Sequence, residues 1–364
     1  MYKKMIQHQI FFDFLRFCIG SESEIPGSLI EADWKELYRI AQKQALVGIL
    51  FDGIQRLPSS DVGISRDLLL QWIAQCQMLE KANMRLNDAA IQVSEWFRKK
   101  GFRACILKGQ GNALLYPNGL HRTPGDIDIW VEGGDKRVIS FVRSISPHEK
   151  ACYHHIEFPS YKGVEVEVHY RPSFLQCFWH NRKLQKYYER VKEEQFSHRM
   201  MLGEQGEIAI PTVEFNLIFQ LTHIFAHLMN EGIGLRQLVD YYYVLISDDL
   251  LLIRDRVQKE LKELGLWKFA GGIMYIMQEV FGMPTSHLIV PPNEKYGKFV
   301  LNEVLEAGNF GRHDARNRFG RSKLGHNLQR VYRDIRLVRY FPAEALCEPI
   351  FRTWHFFWRM KNKK

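Results

Sequence analysis

The spacing of apolar residues divides the chain into a helical beginning, a mixed middle and a helical end. Apolar positions recur with helical periodicity over residues 33–57, and residues 66–100 predict one long helix that ends at Gly101. Beyond residue 211 the helical pattern returns. The helices predicted there span residues 213–229, 235–245, 250–264, 267–281 and 294–306.

The middle of the chain carries the two-residue alternation that is typical of strands. Residues 102–107 and 126–131 predict two short strands, and the glycine-containing segment 108–116 between them leads into a helix. A helix is predicted at 135–146, and two more strands near His155 and at 164–169. We therefore predict an α+β fold in which a small sheet is flanked by helical regions. The predicted division is an N-terminal helical region (1–100), a central core (101–210) and a C-terminal helical domain (211–364).

The bulk composition is that of an ordinary globular protein. Of 364 residues, 46% are hydrophobic and 25% are charged, which excludes a disordered chain. The opening segment has an early lysine pair, but Asp13 and Arg16 interrupt its apolar run, so we expect an amphipathic helix rather than a signal peptide. The most apolar stretch, 210–229, contains Glu214 and His223, so no membrane span is expected.

Cysteine usage indicates the redox environment. The six cysteines are scattered along the chain and form no CxxC pair. Without a secretory signal, this pattern favours reduced thiols over a disulfide framework. We therefore expect a cytoplasmic protein.

Basic residues outnumber acidic ones and give a net charge of +9, which favours anionic partners. Segment 312–339 carries most of this excess. Its basic residues are Arg312, Arg316, Arg318, Arg321, Lys323, Arg330, Arg333, Arg336 and Arg339, against Asp314 and Asp334. The helix predicted there has an apolar face made of Leu328, Val331, Ile335 and Val338. The arginines would then face solvent, either as a contact for RNA phosphates or as an ordinary solvated surface.

Two aspartates in the second predicted strand form the most informative motif. Because alternate residues of a strand share a face, Asp126 and Asp128 point the same way, with about 7 Å between their Cα atoms. Such carboxylates repel each other unless a cation neutralises them, and Mg²⁺ or Mn²⁺ beside a triphosphate meets this need. An exposed strand face is the alternative for a bare Asp-x-Asp pattern.

A second alternating strand supplies a further carboxylate. Glu165, Glu167 and His169 share one face of residues 164–169. We predict Glu167 as the third metal ligand, with Glu165 or a merely solvated strand face as the alternatives. In two-metal nucleotidyl transfer, three carboxylates can hold one ion at the attacking hydroxyl and another at the triphosphate.

Residues outside these strands offer contacts to phosphate. Lys108 and Gly109 stand where a strand ends and a helix begins, so backbone N–H groups and the helix dipole could meet an anion, although a simple turn is the alternative. Arg122 could clamp phosphate, hold the acids in place or lie on the surface. His223 and His227 have the HxxxH spacing of a zinc site but no recognisable third ligand, which favours core or substrate-contact histidines.

Taken together, these residues resemble the uncharacterised nucleotidyltransferase group of the polymerase-beta superfamily. The matching motifs are Leu107-Lys108-Gly109, Leu115-Tyr116-Pro117, Arg122, Gly125-Asp126-Ile127-Asp128-Ile129 and Val166-Glu167-Val168-His169. The resemblance implies a small mixed polymerase-beta-like sheet as the catalytic core. It also implies that Asp126 and Asp128 bind metal and that Lys108 and Gly109 stand in the nucleotide-binding turn.

Two positions depart from the pattern of this group. Glu167 stands where aspartate is commoner, and its longer side chain can still ligate Mg²⁺. Gln110 follows Gly109, where the wider superfamily has a serine that contacts phosphate. In the predicted nucleotide-binding turn of Lys108, Gly109 and Gln110, phosphate contact therefore falls to backbone groups and Lys108.

The carboxylates and the resemblance together predict an enzyme. It would move a nucleoside monophosphate from an NTP, with ATP expected, to a hydroxyl or amine acceptor and release pyrophosphate. The acceptor would be a small molecule, a protein or an RNA. The predicted catalytic metal ligands are Asp126, Asp128 and Glu167, and the nucleotide-binding residues are Lys108, Gly109, Gln110 and Arg122.

Two further residues are candidate substrate contacts, and two other functions stay open. His169 lies on the acidic strand face, and Arg236 lies on a predicted helix where it could instead form an i,i+4 ion pair with Asp240. The first alternative function is a catalytically inert nucleotide- or RNA-binding module of the same fold. The second is an interaction protein whose acids simply face solvent.

Overall fold

The first part of the chain is helical. The computed structural model describes residues 2–58, 63–204, 206–311, 314, 316 and 323–362. The helices are α1 (Tyr2–Ile19), α2 (Trp34–Gln44), α3 (Val47–Gln55) and α4 (Arg66–Lys99). Asp33 and Ser65 accept hydrogen bonds from backbone N–H groups in the first turns of α2 and α4 and so fix where these helices begin. The run 33–57 forms two helices because Ala45 adopts the left-handed conformation that ends α2.

The central sheet has four strands and mixed pairing. The strands are β1 (Ala104–Ile106), β2 (Ile127–Val131), β3 (His155–Tyr161) and β4 (Val164–His169). Their order is β1-β2-β4-β3, in which β2 and β4 run parallel while the two outer pairs are antiparallel. This small mixed sheet between helices confirms the predicted α+β class.

The register between β2 and β4 decides which side chains lie next to each other. Asp128 is paired with Glu167, and Ile129 is paired with Val168. One core cluster combines Ile127, Ile129, Val131, Val166 and Val168 of these strands with residues of α4. These α4 residues are Leu86, Ala89, Ala90, Val93 and Phe97. Because side chains alternate along a strand, the acidic residues project from the opposite face of the sheet.

The remaining elements of the central region lie between the strands or follow the sheet. Between the strands lie α5 (Gln110–Ala113) and α6 (Gly134–Ile145), and the chain passes from the sheet to the C-terminal helices through α7 (Phe178–Ser197), β5 (Arg199–Met201) and β6 (Glu207–Ala209). The helix α7 and the β5–β6 ribbon are absent from the predicted elements. For α7 the sequence does carry a helical signal, because Leu184, Tyr187 and Tyr188 are all buried and have helical spacing.

The second half of the chain is helical, as predicted. Its helices are α8 (Val213–Asn230), α9 (Leu235–Leu245), α10 (Leu250–Glu263), α11 (Trp267–Glu279), α12 (Glu294–Ala307), α13 (Lys323–Leu337) and α14 (Pro342–Lys361). Helices from both ends of the chain share one core cluster, in which Phe14 and Leu37 occur together with Leu238 and Phe281. The division into three regions stays a prediction. No helix within the described ranges is both long enough and apolar enough to span a bilayer.

The orientation of α13 differs from the predicted one. Leu328, Val331 and Ile335 were expected on the packed face, yet they are exposed by 46%, 43% and 66%. Arg333 is buried instead, and the guanidinium groups of Arg316 and Arg336 bind Glu303. The physical reason is that buried acids need cationic partners, which turns the charged face inward.

The orientation of α13 reduces the number of basic side chains of segment 312–339 that face solvent. Of the nine basic residues, Arg312, Arg318 and Arg321 lie outside the described residues, and so does the Lys323 side chain. Arg316 and Arg336 are bound to acids, Arg330 lies 3.7 Å from Glu348, and Arg339 is exposed. RNA contact through segment 312–339 stays a prediction, with fewer arginines facing solvent than expected.

Helix α3 makes a close backbone contact with the turn that precedes Arg122. A Cβ atom added at Gly48 would lie 2.1 Å from the carbonyl oxygen of His121. We therefore expect Gly48→Ala to lower the free energy of unfolding by about 1–3 kcal/mol, because the helix or the turn must shift. Denaturant unfolding followed by circular dichroism measures this loss.

The matched control is Gly27→Ala, because a Cβ atom at Gly27 would have nothing within 4 Å. Its expected effect is within about 0.5 kcal/mol. Alanine stabilises a helix by about 1 kcal/mol relative to glycine. A net loss of stability in Gly48→Ala must therefore come from the clash between the new Cβ atom and the turn. Equal stability of the two variants would contradict close packing of α3 on this turn.

Candidate active site

Three carboxylates meet on the face of the sheet opposite α4. Asp126 directly precedes β2, Asp128 lies within it, and Glu167 lies in β4. One carboxylate oxygen from each residue lies within 4.8 Å of the other two. Parallel pairing of β2 and β4 produces this cluster, since it places Asp128 beside Glu167. Glu165 is exposed and lies outside the group, so the structure brings Glu167 rather than Glu165 to the aspartates.

Lys108 provides the nearest positive charge. Its Nζ lies 3.0 Å from Asp128 Oδ2 and 3.2 Å from Nε2 of His223. Burial alone lowers the pKa of Lys108, but Asp128 and Asp126 outweigh burial and raise it. Burial likewise acts to raise the pKa of Asp128, and Lys108 together with His169 lowers it overall. The cluster therefore holds an ionised aspartate although its side chain is only 2% exposed.

His169 binds two of the three carboxylates. Its Nε2 lies 2.9 Å from Asp128 Oδ1 and 3.4 Å from Glu167 Oε2, while Nδ1 lies 3.3 Å from the carbonyl oxygen of Arg171. Burial acts to lower the pKa of His169, but the hydrogen bonds to Asp128 and Glu167 raise it to about 9. His169 therefore orients both acids rather than facing solvent.

Two more histidines lie beside this group and are missing from the predicted site. His155 is paired with His169 across β3 and β4, and its Nδ1 lies 3.3 Å from Glu167 Oε2. Burial and the neighbouring His169 lower the pKa of His155 to about 4. The ring of His154 lies 5.3 Å from that of His169, centroid to centroid. The sequence feature that could have predicted their position is the Lys162-Gly163 turn. This turn joins β3 and β4 in a hairpin, and the hairpin brings these histidines next to the acids.

The turn after β1 leads from a strand into a helix, as predicted. This helix, α5, is too short to exert a strong dipole field on an anion. Gly109 has a φ of +62° and precedes α5, which has four residues. A macrodipole grows with the number of aligned peptides, so α5 contributes little field, and the predicted phosphate contact falls to backbone N–H groups. Gln110 is buried and its amide binds the side chain of Asn87, so its side chain points into the protein.

Arg122 is held inside the protein by Asp240. Its Nε and one terminal nitrogen each lie 2.7 Å from a different carboxylate oxygen of Asp240, and Tyr116 donates a hydrogen bond of 2.6 Å to the same carboxylate. Arg122 is 3% exposed. Of the roles open to it, this position favours holding the loop before Asp126 over clamping phosphate.

Arg236 takes a different partner from the expected one. It does not pair with Asp240; it donates a hydrogen bond of 3.0 Å to the carbonyl oxygen of Thr123, and its guanidinium lies over the ring of Phe310. A Cβ atom built at Gly125 would lie 3.7 Å from its terminal nitrogen, which places Arg236 beside the residue before Asp126. Its Nε is buried and has no hydrogen-bond partner among the described residues.

The histidine pair of α8 does not form a metal site on its own. His223 binds Lys108, and its Nε2 lies 3.0 Å from Nε2 of His227. Within the described ranges, neither histidine belongs to a group of three metal-ligating side chains. Burial and the neighbouring Lys108 hold the pKa of His223 well below its usual value, which fits a neutral imidazole that accepts from Lys108.

Comparison with known proteins shows the family of the chain. No curated protein matches the chain. Among solved structures, an antigenic nucleotidyltransferase-like protein from Paracoccidioides brasiliensis matches with 13% sequence identity and a TM-score of 0.29, covering 50% of this chain and 90% of that chain. This likeness is too low to assign a fold. Residues 31–282, more than half of the sequence, match the family described as uncharacterised nucleotidyltransferase, and the chain therefore belongs to that family.

Proposed function

We propose that the protein is a metal-dependent nucleotidyltransferase. It moves a nucleoside monophosphate from an NTP to a hydroxyl or amine acceptor and releases pyrophosphate. In this reaction the acceptor atom forms a bond to the α-phosphorus, and the bond from that phosphorus to the oxygen bridging the α- and β-phosphates breaks. The observation that carries the proposal is the carboxylate cluster of Asp126, Asp128 and Glu167, whose oxygens lie within 4.8 Å of one another.

The donor set of the cluster fits Mg²⁺ or Mn²⁺. All three ligands are carboxylates, the oxygen donors that these hard cations prefer. Asp128 is almost fully buried, and mutual repulsion of three acids favours a cation among them. When bound, a divalent ion lowers the pKa of the acceptor hydroxyl and neutralises charge on the triphosphate.

The chain's own residues position this cluster and meet the nucleotide. His169 holds Asp128 and Glu167 in fixed orientations, and Lys108 holds the other oxygen of Asp128. Arg236, next to Gly125 and with an unpartnered Nε, supplies a cation for the triphosphate. Gly109 lies beside Asp126, since a Cβ there would be in ordinary contact, 3.6 Å from the Asp126 carbonyl oxygen, and its φ of +62° favours glycine. This glycine leaves room for a phosphate beside the acids.

The nucleotide of the proposed reaction is ATP, and the ion is Mg²⁺ or Mn²⁺. The acceptor is a small molecule, a protein or an RNA. An inert binding module with the same fold has no use for three clustered acids beside a polyphosphate. The intact cluster therefore favours catalysis over binding alone.

Nucleotide binding can be tested without knowledge of the acceptor. We expect one or more of the four NTPs, in the presence of Mg²⁺, to raise the melting temperature of the protein. At about 100 times the dissociation constant, the stabilisation is roughly 2.7 kcal/mol. Differential scanning fluorimetry measures the shift, and the responding nucleotide is the one to label in a search for the acceptor.

Two variants make this test specific. Asp126→Asn removes one charge from the cluster and should abolish the Mg²⁺-dependent part of the shift. Glu165→Gln changes an exposed acid outside the cluster and should keep the shift. A shift that persists in Asp126→Asn, or no shift with any nucleotide at saturation, would rule out the proposed metal–triphosphate site.

A further inference from the structure

A second group of metal-ligating side chains lies where α7 meets α14. Cys177 directly precedes α7, and His180 follows three residues later, so both side chains face the same direction at the start of the helix. Glu344 and Cys347 have the same three-residue spacing on α14. None of these four residues belongs to the carboxylate cluster of the candidate active site.

Three of these side chains converge at this junction, and Cys347 lies beside one of them, Cys177. The ligand atoms of Cys177, His180 and Glu344 all lie within 4.8 Å of one another. His180 Nδ1 lies 3.3 Å from Glu344 Oε1, and the thiol of Cys347 is in hydrogen-bonding contact with Cys177. Cys177 and Glu344 are buried, whereas His180 and Cys347 are half-buried.

The chemistry of this set is that of a zinc ligand group. Two thiols, one imidazole and one carboxylate are all donors that Zn²⁺ takes. Zinc bonds of about 2.0–2.3 Å in a tetrahedron place ligand atoms roughly 3.3–3.8 Å apart. The ligand atoms of Cys177, His180 and Glu344 lie within 4.8 Å of one another, close to this spacing, and Cys347 lies beside Cys177 as the candidate fourth ligand. We propose that Cys177, His180, Glu344 and Cys347 form a structural zinc site that fastens α14 to α7.

Surrounding hydrogen bonds hold the donors in place. Glu344 Oε2 accepts hydrogen bonds of 2.6 Å from the backbone N–H of Gln176 and 3.0 Å from that of Cys177, which leaves Oε1 facing His180. The backbone N–H of Phe178 donates to the sulfur of Cys347. Metal-ligating groups are commonly oriented by such outer hydrogen bonds. Four protein donors leave no open position, so the site is structural and independent of the proposed transferase activity.

Metal analysis of the full-length protein tests the site. Protein produced with zinc in the medium and purified under reducing conditions should contain about one zinc per chain by elemental mass spectrometry. The double variant Cys177→Ser/Cys347→Ser should lose this zinc. The control Cys76→Ser changes a buried cysteine on α4 outside the group and should keep it.

Cobalt substitution gives a second readout that needs no variant. After removal of zinc, Co²⁺ should produce strong near-ultraviolet bands from thiolate ligands and intense visible bands from tetrahedral geometry. Co²⁺ bound only at Asp126, Asp128 and Glu167 would show neither thiolate bands nor tetrahedral intensity, which separates the two sites. The wild-type spectrum therefore decides the proposal even if the serine variants fail to fold.

Three results would overturn the proposal. The first is a cobalt spectrum without thiolate bands, which would mean that Glu344 and Cys347 serve only as a cap for α7. The second is zinc retained by the double serine variant, which would place the metal elsewhere. The third is a Cys177–Cys347 disulfide found by mass spectrometry in protein kept under reducing conditions.

Discussion

Replacing Glu167 with glutamine is expected to slow nucleotidyl transfer on the order of a thousandfold, or about 4 kcal/mol in activation free energy. The amide keeps the shape of the side chain but loses the charge that a divalent cation needs. The exposed fraction of Glu167 is 32%, so the change should leave the fold intact. The measurement is the rate at which label passes from an α-phosphate-labelled NTP to acceptors in a cell extract.

Glu165→Gln is the matched control for this experiment. Glu165 lies on the same face of β4, two residues before Glu167, yet it is exposed and outside the carboxylate cluster. Its transfer rate should stay within about twofold of the wild type, because a surface charge contributes little. An equal loss in both variants would show that β4 as a whole, rather than Glu167, supports the reaction.

Replacing Arg122 with alanine is expected to cost about 3–5 kcal/mol of folding free energy. The change leaves Asp240 buried without its bidentate cation, and Tyr116 alone cannot compensate for an ionised carboxylate. It also frees the loop that leads into Asp126. Denaturant unfolding measures the stability, and the Mg²⁺-dependent nucleotide shift reports the secondary effect on the site.

Arg103→Ala provides the comparison for the buried pair. Arg103 also binds carboxylates through several nitrogens, those of Glu132 and Glu193, but its side chain is 46% exposed. Solvent screening limits its expected cost to about 1 kcal/mol. The double variant Arg122→Ala/Asp240→Ala should be less destabilised than the sum of the single variants, since no buried charge is left unpaired. If the stability losses of the two single variants add up to that of the double variant, Arg122 and Asp240 do not stabilise each other.

The parts of the site that follow from local sequence were predictable. Alternation along 126–131 and 164–169 gave the strands and the shared face of Asp126 and Asp128, and the family motif pointed to Glu167. The choice between Glu165 and Glu167 depended on the parallel register of β2 and β4, which no local pattern encodes. The same holds for His155, which reaches the site only through the β3–β4 hairpin.

Long-range charge pairing explains the predictions that differ from the structure. Arg122 and Asp240 are 118 residues apart, so the nearer Arg236 was the natural partner to expect for Asp240. In α13 the spacing of Leu328, Val331 and Ile335 predicted a packed face, but Glu303 on α12 attracts Arg336 and sets the rotation of the helix. Helical periodicity describes amphipathicity and does not identify which face meets buried acids.

The parallel pairing of β2 and β4 also bears on how this sequence can change over evolution. The two strands are joined through α6 and β3, so residues 132–154 can gain or lose length without moving Asp128 relative to Glu167. A single-residue deletion within β4 would instead turn Glu167 towards α4 and bring a valine beside Asp128. Homologues should therefore vary in the length of the connection while keeping the strand spacing from Val164 to His169 constant.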